Sequence, residues 1–343
     1  KRYTCPFCGQ GEDILSAIRR RGTIPASEMI AIEFYCPKCK TRDFKAVDKY
    51  DRELYNTARE DFKKLSQHLP FPRQRIPDGI ETRRAKNYGY EYFFQLFNER
   101  QLLCLSLLFK KILEVEDSSI RHYLLLIFSQ CLTSNNTFCI WHRKGRHLEP
   151  LFSTYAYQPP KIYAEGNVWG TSVGRGSFKS CFKKAIKAIE YKMRPYEIAV
   201  KDGRLEKIFI GQAIQGSIVN DFDDLVNGKG NLIIKAQTSE DLSFISDRSI
   251  DAVITDPPYF DKPGIYSELA DFYYVWLKIA LENEYEEFTG EYSPRSREII
   301  VNKLMGKDET RFITGLTNVF RECHRVLKDE GLLVFTFHHE KSK

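Results

Sequence analysis

The chain of 343 residues predicts an α/β fold carried by a parallel, doubly wound sheet in its C-terminal third. Three observations lead there. Beyond Asn231, strand-like apolar runs alternate with helix-length segments, which is the rhythm of strands joined by helical crossovers. Two C-x-x-C pairs mark a small N-terminal module that is stapled by metal rather than by a large core. Between these ends, apolar residues recur at spacings of three and four, predicting a mainly helical middle region.

Composition narrows the class. With 42% hydrophobic and 29% charged residues the chain lies in the globular range and away from disorder. Even the run Tyr123 to Phe128 is soon interrupted by Ser129, Gln130 and Ser134, so no membrane span is expected. Its 52 basic against 46 acidic residues give a net charge of +6, the sign of a polyanion binder. Nine cysteines, four of them in two C-x-x-C pairs, fit a reducing cytoplasm with metal-bound thiolates better than a disulfide framework. The start at Lys1, with Cys5 close behind, is read as that of a fragment of a longer polypeptide.

In chain order, residues 1–47 form the metal module, 48–165 the helical region, 166–230 a connecting segment with a helix, and 231–343 the sheet segment. Leu54, Ala58, Phe62 and Leu65 predict a connector helix over 48–69, which Pro70 and Pro72 terminate. Arg73, Arg75, Arg83, Arg84 and Lys86 stand in a proline-bearing segment that either faces phosphate or forms a solvated loop. Helices are expected over 91–113 and 120–132, then irregular aromatic-rich chain over 135–167. A further helix is expected over 178–193 with Phe182, Ala185, Ile186 and Ile189 on one face. Strands follow at 232–236, 251–255 and 332–337, with helices at 267–281 and 311–327.

Cys5 and Cys8 form one pair and Cys36 and Cys39 the other, with 27 residues between them. Two tight knuckles at the ends of a hairpin supply the four thiolates that a structural zinc ion takes in a tetrahedron, so a zinc ribbon is expected. Arg19, Arg20 and Arg21 between the knuckles would suit a phosphate backbone. Cys104, Cys131, Cys139, Cys181 and Cys323 stand in apolar or helical surroundings and read as small core residues.

The most informative run is Asp256-Pro257-Pro258-Tyr259, at the carboxyl end of an expected strand, where open α/β sheets gather their ligands. An exocyclic amine on a base is a poor nucleophile because its lone pair is delocalised into the ring. The Asp256 carboxylate and the Pro257 carbonyl could together accept both amine hydrogens and so return the lone pair to nitrogen. Pro258 would stiffen that geometry, and Tyr259 or the adjacent Phe260 would offer a face on which an extruded base stacks. The bland alternative is a turn that merely ends a strand.

Asp256-Pro257-Pro258-Tyr259, with the adjoining Phe260-Asp261 and the run Tyr266 to Leu277, resembles the zinc-ribbon-containing adenine-specific DNA methylases, a family of amino-directed, S-adenosylmethionine-dependent DNA methyltransferases. Further matches lie in Leu96-Phe97 with Arg100-Gln101-Leu102, in Asn167 to Gly170 with Gly174-Arg175-Gly176, and in Phe335 to His339, so most of the chain is covered. The resemblance implies a Rossmann-like methyltransferase domain, S-adenosylmethionine as methyl donor, and the 6-amino group of adenine in DNA as acceptor. It also implies that Asp256, Pro257, Pro258 and Tyr259 are catalytic and that Ser239, Glu240 and Asp241 border the donor. Phe260, Tyr266 and Asp271 would then line the target-base pocket, with His338 and His339 at the same sheet edge. For Ser239 a helix N-cap is an equally good structural account. The family's glycine-rich donor loop is not found here, since Gly174-Arg175-Gly176 does not follow a convincing strand. A companion subunit or a missing chain segment would supply it.

Two other readings stay open: methylation of cytosine's 4-amino group or of an RNA or protein amide, and a non-catalytic nucleic-acid-binding module with a degenerate methyltransferase fold.

Overall fold

The computed structural model describes residues 2–154, 156–160, 162–171, 174–260 and 265–337. Two compact units emerge, Lys1–Ala185 with Tyr266–Ser293, and Ile186–Ile265 with Pro294–Lys343.

The first unit opens with β1 (Arg2–Thr4) and β2 (Gly11–Asp13), an antiparallel pair, and α1 (Ile14–Arg21). Asp13 caps α1 by accepting from the Ser16 N–H, and Gly22 ends it in the left-handed region that glycine enters without a steric penalty. A second antiparallel pair follows, β3 (Ala31–Tyr35) with β4 (Arg42–Ala46). α2 (Lys49–Leu65) starts on a reciprocal Asp48–Asp51 capping box. It buries no side chain fully, and only its Ala58 and Phe62 reach the core.

The middle region is helical, with α3 (Thr82–Lys86) inside the segment read as a loop, α4 (Glu99–Leu113) and α5 (Ser118–Leu132). α4 begins at Glu99 and not at 91, after a short 3-10 turn at Phe93–Leu96, because Asn98 caps it there as Asp117 caps α5. Within 135–167, however, the chain forms a hairpin, β5 (Ile140–His142) and β6 (His147–Glu149). α6 (Phe178–Met193) follows with the expected bounds, and the division between the units falls within it. The face expected to be its core side is largely exposed at Phe182, Ile186 and Ile189, and Phe178 and Cys181 are the buried positions.

In the second unit, β7 (Tyr196–Lys201) and β8 (Arg204–Phe209) form a hairpin inside the segment read as a connector. Asp202 and Gly203 both have positive φ, as a two-residue type I′ turn requires. α7 (Phe222–Val226) is short. Residues 232–236 do not form the expected strand; Leu232 makes one isolated parallel bridge to Ile218.

β9 (Ile250–Thr255) does form. α8 (Tyr266–Leu281) belongs to the first unit, and α9 (Glu309–Val326) and β10 (Leu327–Phe335) belong to the second. β10 pairs parallel to β9, with Ala252 opposite Leu332 and Thr255 opposite Phe335. Among the described residues this sheet has two strands, so the α/β character holds while the doubly wound sheet does not. Single strands rich in apolar residues cannot recruit neighbours that the local chain does not provide.

The first unit's core is aromatic. Phe97, Phe109, Phe128 and Phe272 surround Trp276 or one another at centroid separations of 4.9–5.8 Å. Phe272 and Trp276 are thus core residues of α8, as their helical spacing predicts. Cys131, Cys139, Cys181 and Cys323 are buried in keeping with the sequence, and Cys104 is half-buried.

Candidate active site

β9 ends at Thr255, and Asp256 follows at the carboxyl edge of the two-stranded sheet. The chain is tied to the neighbouring strand there, since the Thr336 N–H donates to the Thr255 carbonyl at 3.4 Å. That bond brings the Thr336 side chain beside Asp256, and its hydroxyl donates to Asp256 Oδ1. The Tyr259 hydroxyl donates to the same oxygen at 2.7 Å and lies 3.2 Å from Thr336 Oγ1. These two donors, Thr336 first, hold the Asp256 carboxyl below its ordinary value and keep it ionised.

Asp256 is exposed, while Pro257, Pro258 and Tyr259 are half-buried. Phe260 packs edge-on against Phe312 of α9, with centroids 5.5 Å apart. A rigid dipeptide therefore presents a carboxylate with one oxygen saturated by hydroxyls, on a surface that solutes can reach. Thr336 is the residue that sequence reasoning missed. It stands within the run 332–337 that the sequence predicts as a strand, but β10 ends at Phe335 and the partner of Thr336 is set only by the β9–β10 register.

Ser239, Glu240 and Asp241 lie in the same unit but in a turn, not after a strand and not at a helix start. The acceptor within that turn is Thr238, whose Oγ1 receives the Glu240 N–H at 3.2 Å, so the N-cap reading of Ser239 fails. Glu240 Oε1 accepts from the Asn318 amide at 3.2 Å. Asp241 accepts from the Ser243 N–H at 2.9 Å, and the Ser243 hydroxyl first and this N–H second hold its carboxyl below the usual value. Glu240 also walls a cavity of about 620 Å³ along α9, together with Ser296, Arg297, Thr310, Thr314 and Gly315. This cavity has room for a ligand, yet among the described residues no glycine-rich loop lines it. The residues at hand do not by themselves fit a nucleoside-sulfonium donor.

Tyr266 and Asp271 belong to the first unit. Tyr266 is exposed. Asp271 is fully buried, and its Oδ1 accepts from the Ser293 N–H at 2.9 Å and the Ser293 hydroxyl at 2.6 Å. That is an anchor for the chain after α8 and not the wall of an open base pocket. Its neighbour Glu268, also fully buried, accepts from the N–H groups of Ile80, Glu81 and Thr82 at 2.8–3.0 Å. Asp261, His338 and His339 lie outside the described residues.

Both cysteine pairs sit in matching turns. The Cys5 N–H donates to the Gln10 carbonyl, and the Cys36 N–H to the Thr41 carbonyl, each at 2.9 Å. The residue after each second cysteine, Gly9 or Lys40, has positive φ. Backbone N–H groups of Cys8 and Phe7 lower the Cys5 thiol, and the Thr41 hydroxyl and backbone lower Cys39, as suits thiolate ligands. Each pair is shaped as a knuckle, but Cys5, Cys8, Cys36 and Cys39 do not bring even three sulfurs within 4.8 Å of one another.

The basic segments do meet. Arg19 of α1, Arg75 and Lys86 line one cavity of about 490 Å³. Two of these three are also paired internally, Arg75 with Glu91 and Lys86 with Asp78, and Arg20 of α1 pairs with Glu12. No helix among the described residues is long and apolar enough to cross a membrane.

Comparison with family models, with curated proteins and with solved structures finds no match to this chain.

Proposed function

We propose that the chain carries the amine-binding half of an S-adenosylmethionine-dependent DNA methyltransferase acting on the 6-amino group of adenine. The supporting observation is the Asp256 carboxylate, held by Thr336 and Tyr259 on a Pro-Pro turn at the carboxyl edge of a parallel strand pair. An ionised acceptor and the Pro257 carbonyl can take both hydrogens of an exocyclic amine, favouring a tetrahedral nitrogen. Phe260, fixed on Phe312 and exposed on its other side, is the better base-stacking face. Tyr259 spends its hydroxyl on Asp256 and works mainly by positioning it.

The donor's binding loop would come from outside the described residues. Zinc across the two knuckles would serve architecture, and the cavity with Arg19, Arg75 and Lys86 would take DNA phosphates. Cytoplasmic localisation is part of the same proposal.

The test is transfer of labelled methyl groups to DNA by the full-length protein, with any partner that supplies the donor loop. Asp256→Ala is expected to lower the rate on the order of 100-fold or more with binding little changed. Tyr259→Phe and Thr336→Val, each removing one hydroxyl from Asp256, are expected to cost roughly 10-fold each, since a neutral donor is worth less than the carboxylate it orients. Equal transfer before and after Asp256→Ala would remove the assignment.

A further inference from the structure

The β5–β6 hairpin lies outside the proposed methyl-transfer chemistry, yet it concentrates three metal-ligating side chains. His142 stands opposite His147, and Ile140 opposite Glu149, so alternation puts all four on one face of the ribbon. The two imidazoles face each other with centroids 5.0 Å apart. His142 Nε2 lies 3.9 Å from Glu149 Oε1, and one donor atom from each of His142, His147 and Glu149 falls within 4.8 Å of the others. Among the described residues this is the only such group of three. All three residues are half-buried.

The hairpin is held from its other face. Trp141 packs edge-on against Phe44 of β4 at 5.7 Å, under the Arg42 guanidinium, which also donates to the Arg146 carbonyl at 2.9 Å. At the tip, Gly145 presses on both rings, since a Cβ there would meet His147 at 2.5 Å and His142 at 2.7 Å. Its N–H donates to His142 Nδ1 at 2.9 Å, which in a neutral ring places the proton on Nε2, facing Glu149.

We propose that His142, His147 and Glu149 form a binding site for a divalent transition-metal cation such as zinc, distinct from the four cysteines. Two imidazole nitrogens and one carboxylate oxygen are a borderline donor set that selects zinc, nickel, cobalt or copper over calcium and magnesium, and three ligands leave a coordination position open. A cation at His142 Nε2 moves the ring proton to Nδ1, where it opposes the Gly145 N–H. Loading therefore breaks that hydrogen bond and shifts the turn.

The experiment titrates the full chain with zinc alone and reads both zinc bound per chain and the imidazole nitrogen resonances. His147→Ala is expected to bind one zinc per chain fewer than wild type, whatever the cysteines hold. Glu149→Gln is expected to weaken uptake on the order of 100-fold. In the wild-type chain one ring nitrogen of each of His142 and His147 should move to a metal-bound shift, and the Gly145 amide should move with them. Unmoved ring resonances at saturating zinc, or equal zinc in wild type and His147→Ala, would overturn the site. Should His147→Ala disturb the hairpin, the resonances of the unaltered chain still decide.

Discussion

α8 and the β9–β10 pair were both legible as apolar runs, yet one is sealed and the other is open. Trp276 and Val275 of α8 are wholly buried, whereas Ile254 of β9 and Leu332 of β10 are 80% and 64% exposed. A parallel strand pair is normally covered on both faces. The difference shows that apolar content reports what a segment can bury, and that neighbours determine whether it does. It also separates stability from chemistry. The first unit's aromatic core holds its fold, while the proposed catalytic carboxylate sits at the edge of a pair whose face bearing Ile254, Leu332 and Val334 is exposed.

Substitutions in the two regions should therefore differ widely. Trp276→Ala, opening a cavity among Phe97, Phe109 and Phe128, is expected to cost about 3–5 kcal/mol in denaturant unfolding of the first unit. Trp276→Phe should cost less than half of that, because the indole N–H has no partner among the described residues and its removal leaves nothing unsatisfied. A loss for Trp276→Phe equal to that for alanine would mean the N–H is bonded after all.

Next in size is Glu268→Ala. It strips the acceptor from three backbone N–H groups at 80–82 and should destabilise by roughly 2–4 kcal/mol, with hydrogen exchange accelerating at Glu81 and Thr82. Protected amides in that variant would show that water or another group replaces the carboxylate.

A smaller, pH-dependent effect is expected in the second unit. Glu322 accepts two bonds from Arg325 and the Leu242 N–H, and these lower its pKa to about 2. A depressed folded-state value means that its contribution is present above the ordinary glutamate range and is lost as the pH falls toward 2. Glu322→Gln should abolish that part of the acid dependence and little else, as read by unfolding midpoints between pH 5 and 2.5 (approximate limits set by the linkage window).

Ile254→Thr should change least, within about 0.5 kcal/mol, since the side chain is exposed and threonine keeps the β-branch. A cost above about 2 kcal/mol would mean this face is covered in solution, and the contrast between the two regions would disappear.

Local chemistry explains what was readable. α6 keeps the bounds its periodicity predicts, and α2, α4 and α5 start at Asp48, Asn98 and Asp117, whose side chains satisfy N–H groups within the same few residues. The two cysteine knuckles and the turn after β9 were legible for the same reason. Asp202-Gly203 carried its hairpin signal too, but the flanking polar residues obscured the strands. The sequence by itself thus determined helix ends, knuckle turns and the placing of Asp256 at a strand's edge, because those depend on groups a few residues apart. Tertiary structure alone decided that Thr336 faces Asp256, that Asp271 is an anchor, that His142, His147 and Glu149 converge, and that 232–236 forms no strand beyond the single bridge of Leu232. Each depends on strand register or on distant packing, where many pairings satisfy the same local pattern and only the whole arrangement of neighbours selects one.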